Sequence, residues 1–361
     1  MNMRAFVVLA GITGVAIVAA IFALVWESAP VTVVGDRAPA FPKLVERIND
    51  VGAIEITTVD HRFTVIGEGD EWGIEEKNGY VVKRETVRNF ILGIANLRLV
   101  EGKTRLPGRY GHLQVEDPTS EEAESRGIRI LAGDGDVLGA GVIGRRKFFL
   151  YVDGRGGTYL RRDGDARAWL AEGEVNFGRT PADWLDRNVF ELDAKQVKRY
   201  TIRHPDGSTV IGERPTVGEK IEIGALSEDR EYKTDNEADR LALVVERFEF
   251  ADVEQAPHKD FTDSTIPKHS TTYEFFNGLI IKFEVLTLSK PDGASRFDEP
   301  PRWARVTAEV TEDAPEDQRA EATQRALEIG QRVKGWEYRL EELDGLRTTK
   351  HLEDMLVPPK S

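Results

Sequence analysis

The sequence predicts an α+β protein: an N-terminal transmembrane helix followed by two tandem copies of a mainly antiparallel sheet module with a packed helix. Three observations predict this architecture. Residues 5–26 contain no charged side chain. The pentapeptide Thr-Val-Ile-Gly-Glu occurs at 64–68 and again at 209–213. Around both copies, short segments of alternating apolar and polar residues are separated by Asp-Gly and Asn-Gly pairs, which are typical of tight hairpin turns.

The composition limits the classes of function that the chain can have. Its 361 residues include 49 Lys and Arg against 63 Asp and Glu, for a formal net charge of −14, and no cysteine. An acidic surface repels the phosphate backbone, so we expect no nucleic acid partner. It also repels anionic lipid headgroups, so we expect the ectodomain to stand off the membrane on its anchor. The absence of cysteine excludes disulfides, thiol catalysis and cysteine-based metal sites.

The uncharged N-terminal segment is long enough to span a bilayer. The 22 residues of 5–26 form a helix of about 33 Å, which matches a hydrocarbon core of ~30 Å. A cleaved signal peptide is the alternative, but its apolar region has only about 7–15 residues and ends in small residues. Arg4 precedes the segment and Glu27 follows it. The positive-inside rule therefore places residues 1–4 in the cytoplasm and the ectodomain outside the inner (cytoplasmic) membrane, in the periplasm if the source is Gram-negative.

Small residues recur at a spacing of four within this helix. Ala10 and Gly14 form one such pair, and Ala16 and Ala20 form another. This spacing lets two membrane helices approach closely, so we expect these four residues to pack against a partner helix. Alanine and glycine are also common in membrane helices that have no partner, which leaves that alternative open.

The repeat divides the ectodomain, which follows an extended linker at 27–41, into a first module at 42–190, a second at 191–345 and a tail at 346–361. The two pentapeptides are 145 residues apart. A helix-like segment follows each pentapeptide at an offset of 151, with its apolar residues in the same order: Phe90, Leu92, Ile94, Leu97 and Leu99, then Leu241, Leu243, Val245, Phe248 and Phe250. The six extra residues predict a loop insertion in the second copy. Each module is expected to contain hairpin strands, a helix and a meander, with the helix on one face of the sheet.

Two closing helices are predicted, one for each module. Thr180 followed by Pro181 is a typical helix start. The second helix begins near Pro315 and carries a stripe of apolar residues at helical spacing: Ala322, Ala326, Ile329 and Val333. The stripe predicts packing on the sheet of its own module. A strand at Trp336–Leu340 and a short helix ending near Met355 are expected after it.

The junction of the two copies carries a family resemblance. It reads Trp184-Leu-Asp-Arg-Asn-Val-Phe-Glu-Leu-Asp193, and the first copy has Trp72-Gly-Ile between two strands. With the anchor and the tandem repeat, these segments resemble the bacterial domain-of-unknown-function family numbered 4340, over roughly Phe41 to Leu343. The resemblance implies a membrane-anchored protein that accompanies ABC-type export or gliding-associated transport systems. It implies no catalytic residue.

Motifs for chemistry are scarce. The chain has no G-x-x-x-x-G-K-[ST] phosphate loop, and the glycine-rich segment Gly133–Gly141 lies between strands, where it predicts a hairpin. The six histidines have no H-E-x-x-H or other short metal spacing, and we expect His61 and His204 to lie in exposed loops. We therefore expect no cofactor, no metal site and no enzymatic activity. A catalytic triad or a carboxylate pair assembled in three dimensions stays open.

The long polar segment Glu254–Thr272 is the candidate contact surface, because long loops often carry function. Its histidines and apolar residues are the candidate contact residues: His258, Phe261, Ile266 and His269. A plain connecting loop is the alternative for this segment.

These observations predict a non-enzymatic, membrane-anchored envelope protein. We expect it to be an accessory or interaction component of an ABC-type transport system, with transporter membrane subunits as possible partners. A ligand-binding module for a glycan or lipid, with a cleft between the repeats, is one alternative, and a cell-envelope hydrolase is another. The oligomeric state is left open.

Overall fold

The computed structural model describes most of the chain after its N-terminal segment, namely residues 37–68, 71–149, 156–224, 230–257, 259–263, 265–290, 293, 295 and 298–358. The predicted membrane helix lies outside these ranges, with Ala10, Gly14, Ala16 and Ala20, and so does His258. Within the described ranges, no helix is long and apolar enough to cross a bilayer.

The chain forms two compact units. The first consists of Met1–Trp72 with Lys83–Asp183, and the second of Gly73–Val82 with Trp184–Ser361. The second unit therefore includes a ten-residue segment, 73–82, that the sequence places inside the first module. The folded part also begins earlier than the predicted linker end, because Ala40 and Phe41 are buried and Pro39 forms a bridge with Arg98.

Among the residues that the structure describes, the first sheet has nine strands. The strands and α-helices of this part of the chain are β1 Val51–Thr57, β2 Arg62–Glu68, β3 Glu71–Ile74, β4 Tyr80–Val81, β5 Arg98–Gly102, β6 Arg126–Ala132, β7 Val137–Lys147, β8 Gly157–Arg162, β9 Ala168–Glu172, α1 Pro42–Glu46 and α2 Arg84–Ala95. The strand order is β4-β3-β2-β1-β6-β7-β8-β9-β5. The pairs from β1–β2 to β8–β9 are antiparallel. Helix α2 buries Val87, Phe90 and Ile94.

The second sheet also has nine strands in the described part of the chain. This part contains β10 Asn188–Phe190, β11 Val197–Arg203, β12 Thr209–Glu213, β13 Glu222–Ile223, β14 Phe248–Gln255, β15 Lys268–Phe275, β16 Leu279–Thr287, β17 Arg302–Val310, β18 Trp336–Leu340, with helices α3 Glu237–Ala242, α4 Lys259–Thr262, α5 Arg319–Val333, α6 Glu342–Thr348 and α7 Leu352–Met355. The order is β10-β14-β18-β17-β16-β15-β11-β12-β13. Helix α5 buries the predicted stripe in full, from Ala322 to Val333.

The duplication extends to the topology of the sheets. Seven strands of the first sheet are neighbours in the order β2-β1-β6-β7-β8-β9-β5. The corresponding strands of the second sheet have the same order, β12-β11-β15-β16-β17-β18-β14. The strand that follows the helix is β5 in the first sheet, where it forms the edge, and β14 in the second, where β10 pairs outside it. The predicted α+β class with antiparallel sheets is therefore confirmed. The hairpins predicted at Asp134-Gly135 and Asn277-Gly278 are also confirmed, with both glycines at positive φ. The third predicted turn, Asp153-Gly154, lies outside the described residues.

The glycine of the repeated pentapeptide lies under an aromatic ring in both copies. A Cβ at Gly67 would lie 2.9 Å from Cζ2 of Trp72, and a Cβ at Gly212 would lie 2.3 Å from Cζ of Tyr200. Gly212 and Tyr200 are direct partners across β11 and β12. Both copies therefore have glycine at the position where an aromatic ring packs directly on the strand backbone and leaves no room for a side chain.

Each copy is closed by pairing its last segment with the residues that precede its helix. In the first copy, the N–H of Asp186 donates to the carbonyl of Val81 at 2.9 Å. In the second copy, the N–H of Val357 donates to the carbonyl of Glu231 at 2.8 Å. The described residues of the predicted tail, 346–358, therefore form the closing segment of the second copy, in the same role as Trp184–Asp186 in the first.

The helix predicted from Thr180 and Pro181 is wrong. The structure has a single 3-10 turn there, Pro181–Asp183. The carboxylate of Asp183 accepts hydrogen bonds from the backbone N–H groups of Arg179 and Thr180, both at 2.9 Å. Trp184 is then fully buried, and Leu185 forms a bridge with Val82. This extended pairing ends the turn before a helix can continue.

The segment Gly73–Val82 contributes an aromatic side chain to the core of the second unit. Tyr80 is 2% exposed, and its ring lies edge-on to Trp336 with centroids 4.8 Å apart and to Phe250 at 5.3 Å. The guanidinium of Arg332 lies over the same ring at 5.4 Å. Lys77 forms an ion pair with Asp252 at 2.8 Å. These contacts explain why the segment belongs to the second unit.

Candidate functional site

Three histidines that are distant in the sequence meet in the second unit. His204 follows the last residue of β11, His269 is the second residue of β15, and His351 immediately precedes α7. Strands β11 and β15 are antiparallel, with Arg203 opposite Ser270, so the ladder brings His204 beside His269. We refer to His204, His269 and His351 as the histidine cluster.

The three rings contact one another closely. Nδ1 of His204 lies 3.1 Å from Nδ1 of His269, a hydrogen bond in which one nitrogen donates and the other accepts. The ring of His351 stacks on His204 with centroids 3.7 Å apart and 13° between the planes. The rings of His204 and His269 are perpendicular. His204 is 5% exposed, so the cluster is shielded on that side from water.

The environment favours the neutral form of the imidazoles. Burial lowers the pKa of His204, and the nearby His351 lowers it further, while Asp206 acts in the opposite direction. Burial also lowers the pKa of His269, to about 4, with smaller contributions from His204, His351 and Arg302. Both groups are therefore neutral at pH 7. The bond between the two Nδ1 atoms requires that the accepting imidazole be neutral, because a protonated imidazole has no acceptor nitrogen.

The cluster lies where the closing segment of the second copy crosses the sheet. The hydroxyl of Thr271, two residues from His269, donates to the carbonyl of Thr348 at 2.6 Å. The N–H of Lys233 donates to the carbonyl of Met355 at 2.9 Å, and its ammonium group donates to the carbonyl of Asp354 at 2.7 Å. Between these contacts, the stacking of His351 on His204 fastens the segment to the end of β11.

The chemistry open to this arrangement is proton binding. In the part of the chain that the structure describes, no group of three or more His, Asp or Glu residues is arranged to hold a metal ion. A hydrogen bond joins the perpendicular rings of His204 and His269, and the ring of His351 is stacked on His204, so the nitrogens of the three rings do not converge on one point. A proton added to the cluster breaks the bond between His204 and His269 or places a charge against the stacked ring.

His204 lies at the turn after β11, as expected, but the expectation that it is exposed is wrong. It is buried, and the cluster that it forms has no sequence signal, because its hydrogen bond to His269 spans 65 residues. Only the register of β11 against β15, together with the path of the closing segment, brings the rings together. His61, the other histidine expected in a loop, is exposed.

Of the four predicted contact residues, the three that the structure describes do not lie together on one surface. Phe261, in α4, is 3% exposed and packs with Leu286 and Trp303, and Ile266 packs against the same group. The guanidinium of Arg305 lies over the ring of Phe261 at 4.5 Å. His269 belongs to the histidine cluster. Contacts made by the Glu254–Thr272 segment must therefore use its other residues, and its role as a contact surface stays a prediction.

The second unit also has a recess on its surface. It has a volume of about 420 Å³ and is lined by apolar and charged residues, among them Phe275, Leu279, Gln324, Arg325 and Glu328. Helix α5 supplies the polar wall, and the β15–β16 hairpin supplies the apolar one. The size is in the range of small-molecule sites.

Fold and site together define a duplicated α+β protein with two antiparallel sheets and a cluster of three contacting histidines, of which His204 is buried. The sequence model of the family described as Domain of unknown function (DUF4340) matches residues 72–266, which is 195 of the 361 residues. The chain belongs to this family, as the resemblance at the junction predicts. No curated protein and no solved structure matches the chain.

Proposed function

We propose that this protein is a non-enzymatic component of the cell envelope, anchored in the inner membrane by residues 5–26. Its duplicated ectodomain acts as an accessory component of an ABC-type transport system and contacts the membrane subunits of that system. The observation that supports this most is the duplication of the sheet order, with each copy closed by its own last segment. Such a scaffold offers repeated surfaces for a partner, whereas a catalytic role needs a specific constellation of reactive groups.

The charges around the recesses of the second unit support a contact role. In three recesses an arginine is already paired with a carboxylate three residues away: Arg302 with Glu299 at 3.2 Å, Arg325 with Glu328 at 3.2 Å and Arg347 with Asp344 at 2.9 Å. Pairs of this kind neutralise each other at the surface and suit the polar rim of a protein interface.

Purification of the full-length chain from detergent-solubilised membranes tests the proposal. The chain carries a C-terminal affinity tag, the membranes are crosslinked before solubilisation, and mass spectrometry quantifies the co-purifying proteins. We expect a multi-span permease and its ATPase to be enriched in near-stoichiometric amounts. Gly14→Ile tests the predicted helix packing, and the expected result is a lower recovery of the permease.

The matched control is Leu9→Ile, which adds no bulk and lies outside the small-residue pairs. It is expected to recover the permease as well as the natural chain does. If the natural chain, crosslinked in its own membrane, enriches no transporter subunit, the proposal is refuted.

A ligand-binding role is the second candidate, and the recess of about 420 Å³ favours it. Phe275 and Leu279 offer an apolar wall to a lipid or a sugar ring, and Arg325 offers hydrogen-bond donors. Thermal unfolding of the chain with and without envelope glycans and lipids tests this role. A rise in melting temperature that Arg325→Ala removes would support it, and no shift with any of them would exclude those classes of ligand.

A further inference from the structure

The end of β7 carries an exposed aromatic pair next to three basic residues. Phe148 is 60% exposed and Phe149 is 78% exposed. Among the exposed large hydrophobic residues that the structure describes, these two are the only aromatic ones. The residues before them are Arg145, Arg146 and Lys147. We refer to Arg145–Phe149 as the β7 tip.

The β7 tip lies at the end of the sheet where the chain enters the first unit. Lys147 pairs with Gly157 of β8, and Gly157 pairs with Glu172 of β9. Two strand spacings of about 4.8 Å therefore put Glu172 roughly 10 Å from Lys147. Arg37, the first residue that the structure describes, forms an ion pair with Glu172 at 2.9 Å. The N-terminal connection and the exposed rings are thus neighbours.

The connection to the predicted membrane helix is short. Ten residues, 27–36, separate that helix from Arg37. Even when fully extended they span at most about 35 Å, which is close to the thickness of one bilayer core. If residues 5–26 cross the membrane, the end of the sheet that carries Arg37 is therefore the end held closest to the lipid.

The local charge differs in sign from the whole chain. Arg145 is exposed and lies over the ring of Tyr159 at 5.6 Å, and Arg146 lies over Phe148 at 5.0 Å while it pairs with Glu174 at 3.5 Å. Phenylalanine rings beside exposed cations suit a membrane surface, where apolar side chains enter the boundary between headgroups and acyl chains and the cations are attracted to anionic headgroups.

We propose that the β7 tip is a lipid contact site, which binds the surface of a membrane rich in anionic headgroups. Phe148 and Phe149 enter the interfacial layer, and Arg145 and Lys147 meet the headgroup phosphates. The contact is made end-on, so the acidic remainder of the ectodomain stays away from the membrane. The inference rests on the proposed anchor, because the anchor holds the tip at the bilayer.

Because the chain has no cysteine, single cysteines can carry an environment-sensitive dye at chosen positions. The full chain is reconstituted into vesicles of phosphatidylcholine, alone or mixed equally with phosphatidylglycerol, and iodide quenching measures exposure to water. Phe149→Cys reports on the β7 tip. Asp163→Cys is the matched control, since Asp163 is exposed in the turn at the opposite end of β8. Ala16→Cys reports on the anchor.

In mixed vesicles we expect iodide to quench the dye at 149 about threefold less than the dye at 163. Arg145→Glu, added to the Phe149→Cys chain, is expected to reduce this protection in mixed vesicles, because it removes an attraction to anionic headgroups. The variant should change little in phosphatidylcholine alone.

The failure of this inference is distinguishable from the failure of the anchor. If the dye at 16 is protected and the dye at 149 is quenched as freely as the one at 163, the lipid contact is refuted and the anchor stands. If the dye at 16 is itself quenched, the anchor is refuted together with the contact. Protection at 149 that occurs in native membrane extract and not in pure lipid would identify a protein surface and would also overturn the lipid contact.

Discussion

Acidification is expected to weaken the second unit through the histidine cluster. Burial, aided by the neighbouring imidazoles, lowers the pKa of His269 to about 4 in the fold, whereas a histidine in the unfolded chain titrates near 6.5. Between these two pH values the unfolded chain binds a proton that the folded chain does not. The free energy of unfolding therefore rises with pH. This stabilisation is complete above about pH 6.5 and is lost as the pH falls to about 4.

The size of the effect follows from the two pKa values. A difference of one pKa unit corresponds to about 1.4 kcal/mol, so a pKa of about 4 against 6.5 gives an upper limit of about 3.5 kcal/mol. Water partly reaches this side chain and screens the interaction, which reduces the expected effect to roughly 2–3 kcal/mol. His204 acts in the same direction, because its pKa is also lowered. A loss of this size is a large fraction of the stability of a typical domain.

His269→Asn removes the titrating group and keeps the contact. The amide of asparagine places a polar atom near the position of Nδ1, so a hydrogen bond to His204 remains while no proton is bound near pH 5. Hydrogen exchange with mass spectrometry in urea, at pH 7 and at pH 4.5, reports the stability of the second unit from its own peptides. We expect the natural chain to lose roughly 2 kcal/mol more than His269→Asn does between these pH values.

His112→Asn is the matched control, because His112 is an exposed histidine of the first unit. It is expected to leave the pH dependence of the second unit unchanged. The reasoning is refuted if the natural chain and His269→Asn lose the same stability on acidification. It is equally refuted if His112→Asn reduces the loss as much as His269→Asn does.

Two further pairs of substitutions test the packing. Tyr80→Ala is expected to cost the second unit about 3–4 kcal/mol, because its buried ring leaves a cavity there, whereas Tyr110→Ala should weaken the first unit. Unit-resolved hydrogen exchange checks this, and a loss confined to the first unit on Tyr80→Ala would contradict it. Gly212→Ala should lower the free energy of unfolding by about 2–3 kcal/mol, because the ring of Tyr200, 2.3 Å from the added Cβ, is fully buried and cannot move away. Gly67→Ala should lower it by only about 1 kcal/mol, because the ring of Trp72 over it is partly exposed and can shift. Urea denaturation measures both, and equal losses would contradict the difference.

Much of the fold could be predicted because its signals are local. The stripe from Ala322 to Val333 has the period of a helix, and the structure buries all of it in α5. The segments of alternating apolar and polar residues around Ile54 and Ile202 form β1 and β11, and the Asn-Gly pair at 277–278 forms the turn between β15 and β16. In each case the side chains that decide the structure lie within a few residues of one another, so their spacing is enough.

The errors arose where distant residues decide the structure. Thr180 and Pro181 have the chemistry of a helix start, but Leu185 pairs with Val82, which lies far earlier in the chain. By its position in the sequence Tyr80 belongs to the first copy, yet its ring is buried in the second unit. The spacing of residues within a short segment cannot show either pairing, because the order of strands in the sheet decides which distant residue becomes the partner.

The sequence by itself determined the class of the protein and its duplication, because the alternation of apolar residues and the repeated pentapeptide are properties of short segments. The tertiary structure alone decided which unit receives the segment 73–82, and that His204, His269 and His351 meet. Their contacts depend on strand register and on the path of the closing segment, which are set by the packing of the whole sheet. The same holds for the β7 tip, whose position beside Arg37 is a consequence of the β7-β8-β9 order.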